Sequence, residues 1–394
     1  MALSICLNFV AVRNYALVNR YSGFADHFNT IGVIWLLMLV AIANQLLKRL
    51  HQRWALRPCE LAIIYAMLMV ATVYPTMGFG GYIIPLISGV FYYATAENRW
   101  DELLWQYLPS WAVPQDKSVI RWLYEGGISS PPWDVWFRPL FWWSAFALAF
   151  FCMSIVLMVW VRRQWVERER LVYPLTQVPA HLTELTDEGH SGAFLRNRLM
   201  WLGFAIAFCL IMYNYAVRTV SALGSFPAIP LAAKAQIPRL GIGFNFGIDT
   251  LVIGLTYLVN LDVIFSVWFF HILTSFERGI LNLLGLTASG PPQPHAAGGP
   301  MLAMQQVGAL MVVIAWSLRT AWLQWQHARK EFKKHTAKAK CIGDTHGRIL
   351  LLTGILCTAF IGGFLFATGM PAWSIPPFLL LALVLFFGTS RLLA

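Results

Sequence analysis

The sequence predicts an all-α membrane protein, a polytopic helical bundle of about ten membrane segments with at least one broken or re-entrant element. Three observations carry that expectation. Hydrophobic residues make up 58% of the 394 residues and charged ones 12%, about half the charged share of a soluble domain. Apolar windows near the ~20 residues that one bilayer crossing needs recur along the whole chain. Basic residues gather where those windows end, as they do on cytoplasmic loops.

The broken element is predicted by one run. Leu61 to Ala96 holds no Asp, Glu, Lys or Arg over 36 residues, and its middle reads Pro75-Thr76-Met77-Gly78-Phe79-Gly80-Gly81. Proline and glycine there interrupt a helix and strand backbone N–H and C=O groups. Lipid cannot satisfy such groups, so the break must sit in protein or line a wet cavity. Interrupted helices of this kind build midplane sites in many transporters. A plain hairpin with a tight turn at one membrane face is the alternative.

Taken in order, the candidate spans are Phe28 to Leu47, Cys59 to Tyr74, the broken segment Pro75 to Ala96, Pro139 to Val161 and Leu199 to Val217. Phe246 to Leu284 is long enough for two crossings with a bend near Asn260-Leu261-Asp262. Met301 to Ser317 continues into a basic helical extension, and Ile349 to Thr368 and Trp373 to Ser390 form a pair about Met370-Pro371. Residues 221–246 are rich in proline and glycine and read as an extended, strand-like stretch. Gly290 to Pro300 reads as an uncharged turn.

The basic residues orient these spans. Loops 48–58, 162–198 and 319–348 are expected in the cytoplasm; Arg319 to Arg348 alone carries eight Lys or Arg against Glu331 and Asp344. Loop 94–135, with three basic and six acidic residues, is expected outside. Parity then requires Cys59 to Ala96 to cross the membrane once, which a full helix plus a re-entrant segment does and a hairpin does not. The expected organisation is one transmembrane domain over residues 1–394, in the inner (plasma) membrane. The outer loop carries Trp100, Trp105, Trp111, Trp122, Trp133 and Trp136, either as an interfacial belt or as a vestibule that gathers substrate.

Composition also excludes function classes. The net charge of +11 lies in juxtamembrane loops facing anionic lipid, so no nucleic-acid partner is expected. Cys6, Cys59, Cys152, Cys209, Cys341 and Cys357 show no C-x-x-C spacing, so no metal site or disulfide framework is expected. Neither H-E-x-x-H, nor a phosphate-binding loop, nor G-x-S-x-G occurs, so neither an enzyme nor a cofactor is expected.

Ionisable groups inside apolar spans are candidates for function because they are costly there. Asp249, Asp262 and His271 are such groups, and Asn260 accompanies Asp262. Asp262 reads either as a helix cap after Asn260 or as a proton or cation coupling site; His271 reads as a core histidine or a ligand. Nine residues apart, Asp262 and His271 fall on opposite faces of a continuous helix. Pro75, Gly78, Gly80 and Gly81 are candidates for the path itself. Glu60 fits a helix N-terminus, and Glu167-Arg168-Glu169-Arg170 a helix extension ending before Pro174.

The run Trp165 to Pro179, with Glu60 to Ala71, Glu97-Asn98-Arg99-Trp100 and Tyr257 to Phe270, resembles a prokaryotic branch of the oligopeptide transporter superfamily. The resemblance is scattered from about Trp35 to Trp325. It implies a helical secondary transporter with internal repeats that moves peptides or metal chelates with protons. Two features depart from the superfamily: its Asn-Pro-Gly and Lys-Ile-Pro-Pro-Arg motifs are not intact, and the chain ends at Ala394 directly after an apolar span. A piece of a longer transporter or a shortened homologue is expected. The functional expectation is a proton-coupled carrier of small peptides or chelates, working in the lipid bilayer, with a homo-oligomer left open. A membrane enzyme acting on a lipid-linked substrate and a non-catalytic scaffold subunit are the alternatives.

Overall fold

A computed structural model describes residues 3–6, 31–74, 79–127, 130–171, 173–184, 197–219, 229, 232–237, 242–247, 250–285, 300–332 and 344–393. Among the described residues, five helices are long and apolar enough to cross a membrane: α1 (Ile31–Leu50), α6 (Trp133–Arg162), α10 (Leu261–Leu283), α12 (Asp344–Ala367) and α13 (Ile375–Leu393). The protein is thus a helical membrane protein. Shorter apolar helices are α2 (Pro58–Val73), α3 (Gly80–Tyr92) and α8 (Arg198–Thr219), the last apolar over Arg198–Asn214. Further α-helices are α4 (Trp100–Leu103), α5 (Lys117–Glu125), α7 (Pro174–Glu184), α9 (Thr250–Leu258) and α11 (Pro300–Phe332).

The strand-like stretch is a hairpin. β1 (Ala232–Ile237) pairs antiparallel with β2 (Ile242–Gly247), from Ala232 opposite Gly247 to Ile237 opposite Ile242. The expected double crossing over Phe246 to Leu284 takes a different form. The hairpin reaches Gly247, and α9 stops at Leu258, so this first helix has only nine residues. At 1.5 Å per residue that is about 13 Å, short of a crossing. The bend itself falls at Asn260, where expected: Asn260 is extended (φ −60°, ψ 139°), and its C=O accepts the N–H groups of Val263 and Ile264 at 3.1 and 3.2 Å.

The chain divides into two compact units. The first comprises Met1–Leu36, Ile63–Leu171 and Val313–Leu392; the second Leu37–Ala62, Val172–Val312 and Leu393–Ala394. In the first, α6 and α12 pack along one another. Met153 meets Ile361, Ile375 and Leu379 in a buried cluster, and the Thr358 hydroxyl lies 3.7 Å from the Met153 sulfur. Gly354 permits the approach: a Cβ there would come within 3.3 Å of Val156 Cγ1. Small residues of this kind let membrane helices close on each other.

In the second unit one device occurs twice. Asn44, buried on α1, donates to the Leu56 C=O at 2.9 Å and accepts the Leu56 N–H at 2.7 Å. Asn214, buried on α8, treats Ile229 the same way, at 3.2 and 2.8 Å. Each side-chain amide satisfies both backbone groups of a residue where the chain returns after a helix.

Candidate functional site

The break in the apolar run is real and local. α2 opens at Pro58, with the Glu60 carboxylate accepting the Arg57 N–H at 2.8 Å, the N-terminal role expected of it. The helix ends at Val73, and α3 begins at Gly80. Across the gap the Gly80 N–H donates to the Tyr74 C=O at 2.9 Å, and the Tyr74 and Phe79 rings stack with centroids 4.8 Å apart. The aromatic stack thus closes the chain on itself at the break. Tyr74 also shares a hydrogen bond between hydroxyls with Ser144 of α6, a third of the way along that helix. On the α3 side, Ile83 and Ile87 are buried in one cluster with Val113, Val119 and Trp136, against which Phe79, Leu140 and Trp143 pack. α3 therefore runs beside the first half of α6.

A cavity of about 920 Å³ adjoins the break. Met69 and Val70 of α2, then Tyr74, form one wall; Phe79, Tyr82, Ile83 and Leu86 form the next. α6 contributes residues from Trp143 to Val159, and α13 contributes Phe386. No Asp, Glu, Lys, Arg or His side chain lines it among the described residues. Its polar groups are largely engaged within the protein. Trp143 Nε1 donates to the Ala112 C=O at 2.8 Å, and the Ser154 hydroxyl to the Phe150 C=O at 2.9 Å.

The extension after α6 holds a second polar cluster. Residues Arg163–Arg168 form a π-helical turn, and Arg170 and Tyr173 adopt left-handed backbone (φ 51° and 47°), so the helix stops before Pro174 as expected. The Glu169 carboxylate pairs with Arg391 of α13 at 2.5 Å and accepts from Gln164 Nε2 at 2.8 Å. Arg391 also lies over the Trp165 ring, 5.6 Å from its centroid, and Trp165 in turn packs on Phe387. Arg391 Nη1 is buried without a hydrogen-bond partner among the described residues; the π face of Trp165 offsets part of that loss.

The segment before α6 is built from aromatic contacts. Lys117 sits 4.4 Å from the Trp105 centroid, and Trp105 Nε1 donates to the Val90 C=O at 3.2 Å. Trp111 packs on Trp142 and Phe364, and Trp136 is buried, whereas Trp122 and Trp133 are exposed. Trp122 and Trp133 thus have a belt's exposure, Trp136 is core, and Trp105 and Trp111 are half-buried. Asp116 caps α5, accepting the backbone N–H groups of Ser118 and Val119 and the Ser118 hydroxyl. Those bonds, the Ser118 hydroxyl's first, hold its carboxyl below the usual carboxylate range.

The sequence-predicted residues fall in different places. Gly80 and Gly81 open α3 beside the cavity, while Pro75, Gly78 and Asp249 lie outside the described residues. Asp262 is exposed in the first turn of α10, and Asn260 occupies the N-cap without a side-chain capping bond. Asp262 is accordingly the second residue of the helix, within the first turn where the helix dipole favours a carboxylate, and is not its cap. His271 is exposed on the same helix, on the opposite face, so the two are not brought together. Neither lines the cavity. Among the described residues no three His, Cys, Asp or Glu side chains gather as a metal site would need. Sequence reasoning missed Arg391, whose only signal is a cation closing an apolar span, and the α6 face of the cavity.

No curated protein and no solved structure matches the chain. The profile of a family of unknown function, DUF6785, matches residues 1–394, and the chain belongs to that family.

Proposed function

We propose that the protein is a secondary transporter of the inner membrane, a multi-pass symporter that carries oligopeptide-like or chelate solutes with protons, and that α2 and α3 form one broken crossing lining its path. The observation that supports this reading is the interrupted pair itself. Two helices of 16 and 13 residues, each too short to span about 30 Å alone, are separated by a break between Val73 and Gly80, the form that midplane sites of transporters take. Asp262, exposed at the start of α10 behind Asn260, is the coupling group in this reading.

The test is uptake of labelled di- to tetrapeptides into proteoliposomes, with and without an inward acid gradient. Wild type is expected to accumulate peptide only with the gradient, and Asp262→Asn, folded by size exclusion and circular dichroism, to lose that accumulation. Wild-type protein that takes up none of the peptides contradicts the peptide reading. A second reading, an enzyme handling a lipid-linked substrate, is favoured by the apolar wall of the cavity. Under it, purified protein turns over such a substrate while no solute crosses the bilayer.

A further inference from the structure

We infer that the cavity beside the α2–α3 break is a lipid site that holds one acyl chain of a bilayer phospholipid. The inference rests on the cavity alone and stands whether or not the transported solute is a peptide. Three observations carry it, and the first is the chemistry of the wall. Phenylalanines, aliphatic residues and methionines dominate the lining; Trp143 and Ser154 spend their donors on Ala112 and Phe150, and the Tyr74 hydroxyl is bonded to Ser144. A peptide or sugar placed against that wall would leave its amides or hydroxyls without partners, which is costly in an apolar medium. A hydrocarbon chain has none to satisfy.

The second observation is position. On α6 the lining runs from Trp143 to Val159, about 24 Å of helix at 1.5 Å per residue, against a hydrocarbon core about 30 Å thick. The cavity is therefore long and lies along a membrane-crossing helix. The third is where it opens. Most of the exposed lining residues are apolar (Val70, Leu86, Leu148, Phe151, Ile155 and Val159); the other two, Tyr74 and Tyr82, are aromatic with a single hydroxyl each, and that of Tyr74 is bonded to Ser144. An apolar rim on a membrane helix faces lipid tails, so the cavity is continuous with the bilayer's acyl region. A volume of about 920 Å³ is in the range of sites that enclose a ligand. Ala147 is the smallest side chain in the α6 wall, so a large residue there fills the space.

The experiment uses full-length protein in phospholipid vesicles containing a trace of phosphatidylcholine with a diazirine on its acyl chain. After irradiation, labelled peptides are mapped by mass spectrometry. The expected result is label on Met69–Val70 and on Phe150–Met158 well above that on the lipid-exposed residues Leu351, Leu352 and Leu356 of α12, which report ordinary boundary lipid. Ala147→Trp is expected to lower the cavity label about tenfold, the effect of losing two buried methylene contacts, while leaving α12 labelling unchanged. Val70→Trp fills the same space from the exposed rim and serves if Ala147→Trp does not fold. Cavity label no higher than that on α12, or label unmoved by either filling variant in folded protein, overturns the inference. Loss of the label on adding an equal trace of a polyprenyl phosphate, with no change on α12, overturns the assignment to an acyl chain.

Discussion

Two buried asparagines show how single side chains hold this chain together. Asn44 and Asn214 each close a pair of hydrogen bonds with one backbone residue. Replacing either with alanine leaves an N–H and a C=O unpaired, and unsatisfied groups of this kind cost about 1–3 kcal/mol. Asn44→Ala and Asn214→Ala are each expected to lower the melting temperature in detergent by several degrees; unchanged melting would show that water replaces the amide. The Glu169–Arg391 pair behaves differently, because both partners are charged and mostly buried, 12% and 22% exposed. Arg391→Met strands the carboxylate, with a loss of about 3 kcal/mol, whereas adding Glu169→Gln to it should restore much of that stability. A thermal-shift cycle over the four proteins measures the coupling directly. Asp116 titrates with a depressed pKa. Its cap is present above the ordinary carboxylate range and is lost as pH falls through the depressed value. The protection factors of the Ser118 and Val119 amides, which remove the intrinsic pH dependence of hydrogen exchange, should therefore fall only under acid conditions below that range.

Elements were legible in the sequence where local chemistry decides them. The break between α2 and α3 was visible because proline and glycines interrupt an uncharged run, and the end of the α6 extension because Pro174 follows a charged stretch. The bend at Asn260 was visible for the same reason, since Asn-Leu-Asp interrupts an apolar window. What the sequence did not show depends on distant partners. Nothing in the pattern of α6 announces that Trp143 to Val159 faces α2, or that Gly354 is where α12 approaches it. The brevity of α9 was also hidden, because its apolar residues continue the pattern of α10 across the break. Gly354 gives a direct check at this scale. A valine there would push against Val156, which a Cβ alone already approaches to 3.3 Å, so Gly354→Val should destabilise the pair by about 1–3 kcal/mol, and Gly354→Ala by less. Equal melting of both variants would show that the helices separate freely.

For the whole molecule, the fold class followed from composition, while the candidate site did not. A chain with so few charges must place its helices in lipid, and the described helices do have the length and apolarity for that. The site was anticipated only at the break. Its wall, supplied by α2, α3, α6 and α13 of one compact unit, is more apolar than a peptide path requires, which is why lipid enters the account. Asp262 and His271, singled out for their charge, lie in the other unit and await a functional test rather than a geometric one.

In the proposed transporter, α2 and α3 make one crossing interrupted near its middle. Thiol labelling tests it most directly. In a protein lacking its native cysteines, single cysteines are placed at Arg57, before α2, and at Glu97, after α3, and intact cells are treated with a membrane-impermeant maleimide. One broken crossing predicts labelling of Glu97→Cys from outside and of Arg57→Cys only after the membrane is permeabilised. Labelling of both positions from the same side would make α2 and α3 a hairpin and contradict the account.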